Sequence, residues 1–171
     1  MGLDQYLYTN SKELSKRMAG FSEKYHQWVI DKDCGYSKGG LIGYWRKENA
    51  IHNWFIENCQ DGSDDQRTAQ VSWSDLVMLR DFCNKVLETV KRDDNGKFVA
   101  LDRMTAHEIL PTREGFFFGT YEYDGWYVAG LEYTRDLINE IERNVNADDV
   151  YSVYCEDDPN WRVKFYYGCW W

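Results

Sequence analysis

The segment Leu41-Ile42-Gly43-Tyr44-Trp45-Arg46-Lys47-Glu48-Asn49-Ala50-Ile51-His52-Asn53-Trp54-Phe55-Ile56-Glu57-Asn58-Cys59 decides the fold class. Its first part, Leu41 to Trp45, reads as a strand, and this runs directly into a helix over about Lys47 to Cys59. At helical spacing Arg46, Asn49, Asn53 and Glu57 fall on one narrow polar arc, while Ile51, Trp54, Phe55 and Cys59 form the apolar side. His52 projects at the edge of that apolar side, so it is partly buried and needs hydrogen-bond partners.

Reading outward, Leu3, Gln5 and Leu7 alternate with Asp4, Tyr6 and Tyr8, the period-two pattern of a short strand, and Ser11 is placed to cap a helix over Lys12 to Ala19. Cys34-Gly35-Tyr36-Ser37-Lys38-Gly39-Gly40 reads as a flexible loop and a candidate lid. The clearest helix runs from about Trp73 to Lys91, with Leu76, Leu79, Cys83, Val86, Leu87 and Val90 on one face. Ser72 or Ser74 caps its start, and Lys91, Arg92 and Asp93-Asp94-Asn95-Gly96 mark its stop. A shorter helix is expected over Asp102 to Ile109. Another is expected from about Leu131 to Val145, burying Thr134, Leu137, Ile138, Ile141 and Val145. Val150 to Cys155 and Trp161 to Tyr167 predict an antiparallel hairpin turning at Pro159, with Trp161, Val163, Phe165 and Tyr167 on its inner face. The expectation is one α+β domain over residues 1–171, with a small mixed or antiparallel sheet, about four helices and a C-terminal β-hairpin.

At 171 residues the chain can build a core without disulfides or metals, and its 20 Lys+Arg against 29 Asp+Glu give a formal charge of -9. That charge disfavours a broad grip on nucleic acid. Much of it sits in Asp61 to Asp65, Asp93-Asp94 and Glu156 to Asp158, so it leaves room for a small cationic pocket elsewhere. No stretch approaches the roughly 18 consecutive apolar residues of a membrane span, and no leader is evident, so a cytoplasmic protein without membrane contact is expected. The five cysteines, Cys34, Cys59, Cys83, Cys155 and Cys169, form no Cys-x-x-Cys pair and read as reduced and mostly buried.

Two segments carry candidate chemistry. In the first, Arg46 and Lys47 at a helix start are suited to an anion or phosphate. Asn49, His52 and Asn53 are placed to read a base or sugar, with Tyr44 and Trp45 as aromatic neighbours. The second, Leu110 to Tyr127, sets Phe116-Phe117-Phe118 between Gly115 and Gly119. Phe117 beside Thr112, Arg113 and Tyr121 suits stacking on a planar ligand, and a buried central strand is the structural alternative. Catalytic signatures are thin: His107-Glu108 lacks a second histidine, and there is no nucleophile elbow or phosphate loop. None of the three histidines is spaced with cysteine as a zinc site, and no cofactor or metal is implied. A Cys-His pair of Cys59 or Cys34 with His52 is the one nucleophilic arrangement to weigh.

Met1-Gly2-Leu3-Asp4-Gln5-Tyr6-Leu7-Tyr8, the Gly43-Tyr44-Trp45-Arg46-Lys47 and Asn49 to Phe55 run, and Leu110-Pro111-Thr112 with Gly115-Phe116-Phe117-Phe118-Gly119 resemble a family of small uncharacterised proteins found in bacteriophages and prophages. The resemblance implies a phage accessory protein acting in the cytoplasm of an infected bacterium, in host takeover or evasion of host immunity, and brings no catalytic residues with it. The leading expectation is sequestration of a small anionic, nucleotide-derived signal that antagonises a host defence. The second is an acidic protein-protein inhibitor of a host defence or nucleic-acid-processing protein. The third is a nucleotide-acting enzyme using His52. Self-association into a homo-oligomer is left open.

Overall fold

The alternation at the start of the chain becomes strand β1 (Asp4–Thr9), which forms antiparallel ladders on both sides. The computed structural model describes residues 2–26, 40–145 and 163–171, and all that follows concerns these. After β1 come helix α1 (Lys12–His26), β2 (Leu41–Arg46), α2 (Asn49–Cys59), β3 (Ala69–Val71), α3 (Trp73–Leu87), β4 (Lys91–Arg92), β5 (Phe98–Ala100), α4 (Arg103–Ile109), α5 (Gly125–Asn144) and β6 (Phe165–Trp170). One antiparallel sheet runs in the order β2-β1-β6-β3, and β4 and β5 form a separate hairpin. The architecture is α+β, as the sequence predicts.

Register explains which face is covered. Leu7 lies opposite Gly43 and Tyr167, and Gln5 opposite Trp45 and Cys169, so these side chains share one face with Val71 and Phe165. Helices close that face. Phe55 of α2 stacks on Tyr167 with ring centroids 4.0 Å apart. Trp73 of α3 meets Phe165, and the Trp45 indole donates to Thr134 Oγ1 of α5 at 2.9 Å. Burial of these rings and of Leu3, Leu7, Ile51, Leu76, Leu137 and Ile141 supplies the main driving force for folding. The opposite face carries Asp4, Tyr6, Tyr8, Tyr44 and Tyr166, with Tyr6 and Tyr8 stacked 6.0 Å apart.

Capping sets most helix starts. Ser11 Oγ accepts from Leu14 N, Ser72 and Asp75 form a capping box, and Asp102 and Asp124 each accept two backbone N–H groups of the helix that follows. Several boundaries differ from the sequence reading. α1 continues beyond Ala19. α3 stops at Leu87 because Lys91 and Arg92 pair with Phe98 to Ala100, which makes Asp93-Asp94-Asn95-Gly96 a hairpin turn rather than a helix terminus. α5 begins six residues before Leu131, at the Asp124 cap. The second arm of the expected hairpin is β6, shifted toward Trp170 and paired with β1 and β3. Its partner arm at 150–155, the Pro159 turn, Trp161, Cys155, and the loop from Cys34 to Gly39 lie outside the described residues. No described helix is long and apolar enough to cross a membrane.

Candidate functional site

The junction between β2 and α2 is a turn of two residues, Lys47 and Glu48. Lys47 adopts φ +61°, a left-handed turn that ends the strand, and Glu48 is the N-cap of α2, so the helix begins at Asn49 rather than at Lys47. Trp45 and Arg46 are accordingly strand residues. Gln5, wholly buried in β1, fixes this turn: its Oε1 accepts from Glu48 N and its Nε2 donates to Glu48 O, both at 3.2 Å. The Glu48 side chain makes no capping hydrogen bond to the first turn of α2.

That helix start opens onto a cavity of about 380 Å³, within the range of small-ligand sites. Arg46, Lys47 and Asn49 line one side, and Thr112, Thr120 and Trp126 line the other. Trp126 is 77% exposed, an apolar plate at the pocket wall. The two sequence segments that attracted attention do meet here. Asn49 Nδ2 donates to Phe118 O and Thr120 O at 3.2 and 2.7 Å, and Lys47 N donates to Leu3 O. Gly119, with φ +93°, lets the loop pass the Lys47 backbone, where an added Cβ would stand 3.0 Å from Lys47 Cβ.

Glu48 is the unexpected occupant of this wall. Its carboxyl lies against Gly130 of α5, where a side chain at 130 would place Cβ 2.0 Å from Glu48 Oε2. Burial, and then the nearby Asp124 carboxylate, push the Glu48 pKa up to about 8. At neutral pH Glu48 is therefore a neutral carboxylic acid. Arg46 and Lys47 line the cavity together with Glu122, and Arg46 Nη1 also lies 4.0 Å from Asp4 Oδ1 on the strand beside it.

The other predicted site residues are placed as follows. Asn49, Asn53 and Glu57 share one arc of α2, but Arg46, expected on the same arc, is left out of it because it belongs to β2, and the arc grips Arg113. Asn49 Oδ1 accepts from Arg113 N, while Asn53 Oδ1 and Glu57 Oε1 accept from Arg113 Nη1 at 2.9 and 3.1 Å. Asn49, Asn53 and Arg113 thus hold the 110–121 loop on the helix instead of facing the cavity with free donors. The loop is not a strand. Phe117 has φ +67°, Phe118 points into the core, and Phe116 and Phe117 stand outside it, 81% and 48% exposed and edge-to-face at 4.4 Å. Tyr121 bonds back to Gly115 O at 2.9 Å, and Thr112 Oγ1 donates to Tyr121 O. Tyr44 lies on the opposite sheet face, where its hydroxyl donates to Asp4 and its pKa is raised by burial and that contact.

His52 is fully buried one turn beyond Asn49 and does not line the cavity. Its Nε2 lies 3.0 Å from Asp64 Oδ2 and its Nδ1 2.8 Å from the Tyr167 hydroxyl, with Phe118 edge-on at 5.2 Å. Burial lowers its pKa more than Asp64 raises it, so the ring is neutral at pH 7. The described thiol beside it is Cys169 rather than Cys59, while Cys34 lies outside the described residues, and burial raises Cys169 to about 12. A protonated thiol is a poor nucleophile. Asp64, one of the acids of the 61–65 run, also accepts from Trp171 Nε1 at 3.0 Å.

Compared with protein-family profiles, curated proteins and solved structures, the chain has no significant match.

Proposed function

We propose that the protein binds a small anionic, nucleotide-like ligand in the cavity at the β2–α2 junction and acts by sequestration rather than catalysis. The observation that carries this reading is the pairing of Arg46 and Lys47 with the start of α2, which its N-cap residue Glu48 leaves without a side-chain cap, inside a cavity of about 380 Å³ with Trp126 on its wall. Backbone N–H groups at a helix start and two cationic side chains supply charge-assisted hydrogen bonds to a phosphate. Trp126 offers a face for a planar base, a role the sequence assigned to Tyr44, Phe117 or Tyr121. The phage setting, and antagonism of a host defence in the bacterial cytoplasm, rest on the resemblance of the three motifs.

The test is calorimetric titration with a panel of cyclic nucleotides and ADP-ribose-type compounds, followed by heat denaturation and recovery of the ligand. Binding of at least one compound, recovered intact, is expected. Absence of binding across the panel removes the reading, and an altered compound replaces sequestration with catalysis.

A second reading is favoured by the exposure of Phe116, Trp126 and Met104, which suits a protein partner. It predicts capture of a host protein by a surface whose loss follows Phe116→Ser, with no effect of Arg46→Ala.

A further inference from the structure

Outside the cavity stand the exposed aromatic cluster of Phe116 and Phe117, the shallow site around His107 and Tyr123, and the buried centre at His52. The last is the only one built from groups of matched chemistry. We infer that His52, Asp64 and Cys169 form a binding site for a divalent transition-metal ion, zinc in the first instance.

The three residues come from α2, from the loop between α2 and β3, and from β6, and one ligand atom of each lies within 4.8 Å of the other two. A tetrahedral zinc ion with bonds of about 2.0 to 2.3 Å spans its ligands at somewhat less than this, so closure needs only small side-chain movements. Imidazole nitrogen, carboxylate oxygen and thiolate sulfur are all zinc ligands. Three protein ligands leave one position for water or another donor.

Two further features separate this centre from an ordinary buried hydrogen-bond network. The first is charge. A divalent ion with one thiolate, one carboxylate and a neutral imidazole sums to zero, the condition for a charged group at a buried position. The second is the surrounding shell. His52 Nδ1, the nitrogen that faces away from Asp64, is 2.8 Å from the Tyr167 hydroxyl. The second oxygen of Asp64 accepts from Trp171 Nε1 at 3.0 Å, and Arg113 Nε stands 3.9 Å from its first. Supporting bonds of this kind fix the orientation of metal ligands. Entry is through Asp64, whose side chain keeps 15% of its surface open while that of His52 has none. On binding, the Cys169 thiol proton leaves to solvent, and the imidazole proton sits on Nδ1, directed at Tyr167 Oη.

The experiment uses full-length protein stripped with a chelator and titrated with Zn²⁺ against a chromophoric chelator, and in parallel with Co²⁺ followed by absorption. One metal per chain is expected, with a thiolate-to-cobalt charge-transfer band in the near ultraviolet. Cys169→Ser and His52→Gln should weaken binding by at least ~100-fold and Trp171→Phe by ~10-fold. Cys59→Ser, a thiol outside the cluster, should leave it unchanged. If either ligand variant does not fold, the wild-type cobalt spectrum decides alone. Absence of the charge-transfer band, or metal uptake retained in folded Cys169→Ser, overturns the inference.

Discussion

Replacing Glu48 by glutamine should remove a pH-dependent cost that the fold carries. In the unfolded chain Glu48 titrates near 4.5, and in the folded protein at about 8. Between these values the native state binds the proton and the unfolded state does not, so stability falls as pH rises, by about 1.4 kcal/mol per unit. From pH 5 to pH 8 the wild type should lose about 3 to 4 kcal/mol through this one group, and above pH 8 the loss levels off. Glu48→Gln keeps the shape and the contact over Gly130 but has no charge to desolvate. Urea unfolding at unit pH intervals from 5 to 9, read by tryptophan fluorescence, measures the difference between the two proteins. The variant should gain on the wild type by that amount across the window. A difference that stays constant with pH would refute the reasoning, because it would mean that Glu48 ionises in the native state as it does in solvent.

Gly130→Ala should act on the same group: its Cβ displaces the Glu48 carboxyl, and the native midpoint, followed by carboxyl NMR, should move from about 8 toward 4.5. Arg46→Ala combined with Lys47→Ala should weaken the nucleotide found by calorimetry by ~100-fold or more, at about 1.5 to 3 kcal/mol for each charged contact, and reduce the salt dependence of what remains. Binding of that ligand by the wild type should weaken as pH rises through 8, since ionised Glu48 then adds a negative charge to the wall; a calorimetric series from pH 6 to 9 checks this. Phe55→Ala, which empties the stack on Tyr167, should cost about 3 to 5 kcal/mol in chemical denaturation.

How far these features are legible in sequence depends on whether the determining contact is local. The strand and helix at 41–59, and the arc of Asn49, Asn53 and Glu57, follow from two short-range periods, and both are present. What the arc holds, Arg113, lies some sixty residues on and leaves no local signal. The start of α5 was missed because Gly125, Trp126 and Gly130 are weak helix formers. The local signal for that start is Asp124, which caps it. The short hairpin of β4 and β5 hid behind a good helix stop, since Lys91 and Arg92 suit a helix C-terminus as well as a strand. Glu48 could not be told from a surface acid, because its burial is created by the missing side chain at 130. The position of His52 on α2 shows that it needs partners, but Cys169 reaches it only through the sheet that contains β6, and Asp64 through the fold of the loop between α2 and β3.

An amide-resolved NMR titration of the protein with ADP-ribose and with a cyclic dinucleotide shows whether the cavity at the β2–α2 junction is where the ligand binds. Saturable shifts of the Asn49, Ala50 and Ile51 amides and of the Trp126 indole, with His52 and Tyr166 unmoved, are the predicted result. Shifts centred elsewhere on the surface, or none at millimolar ligand, would contradict it.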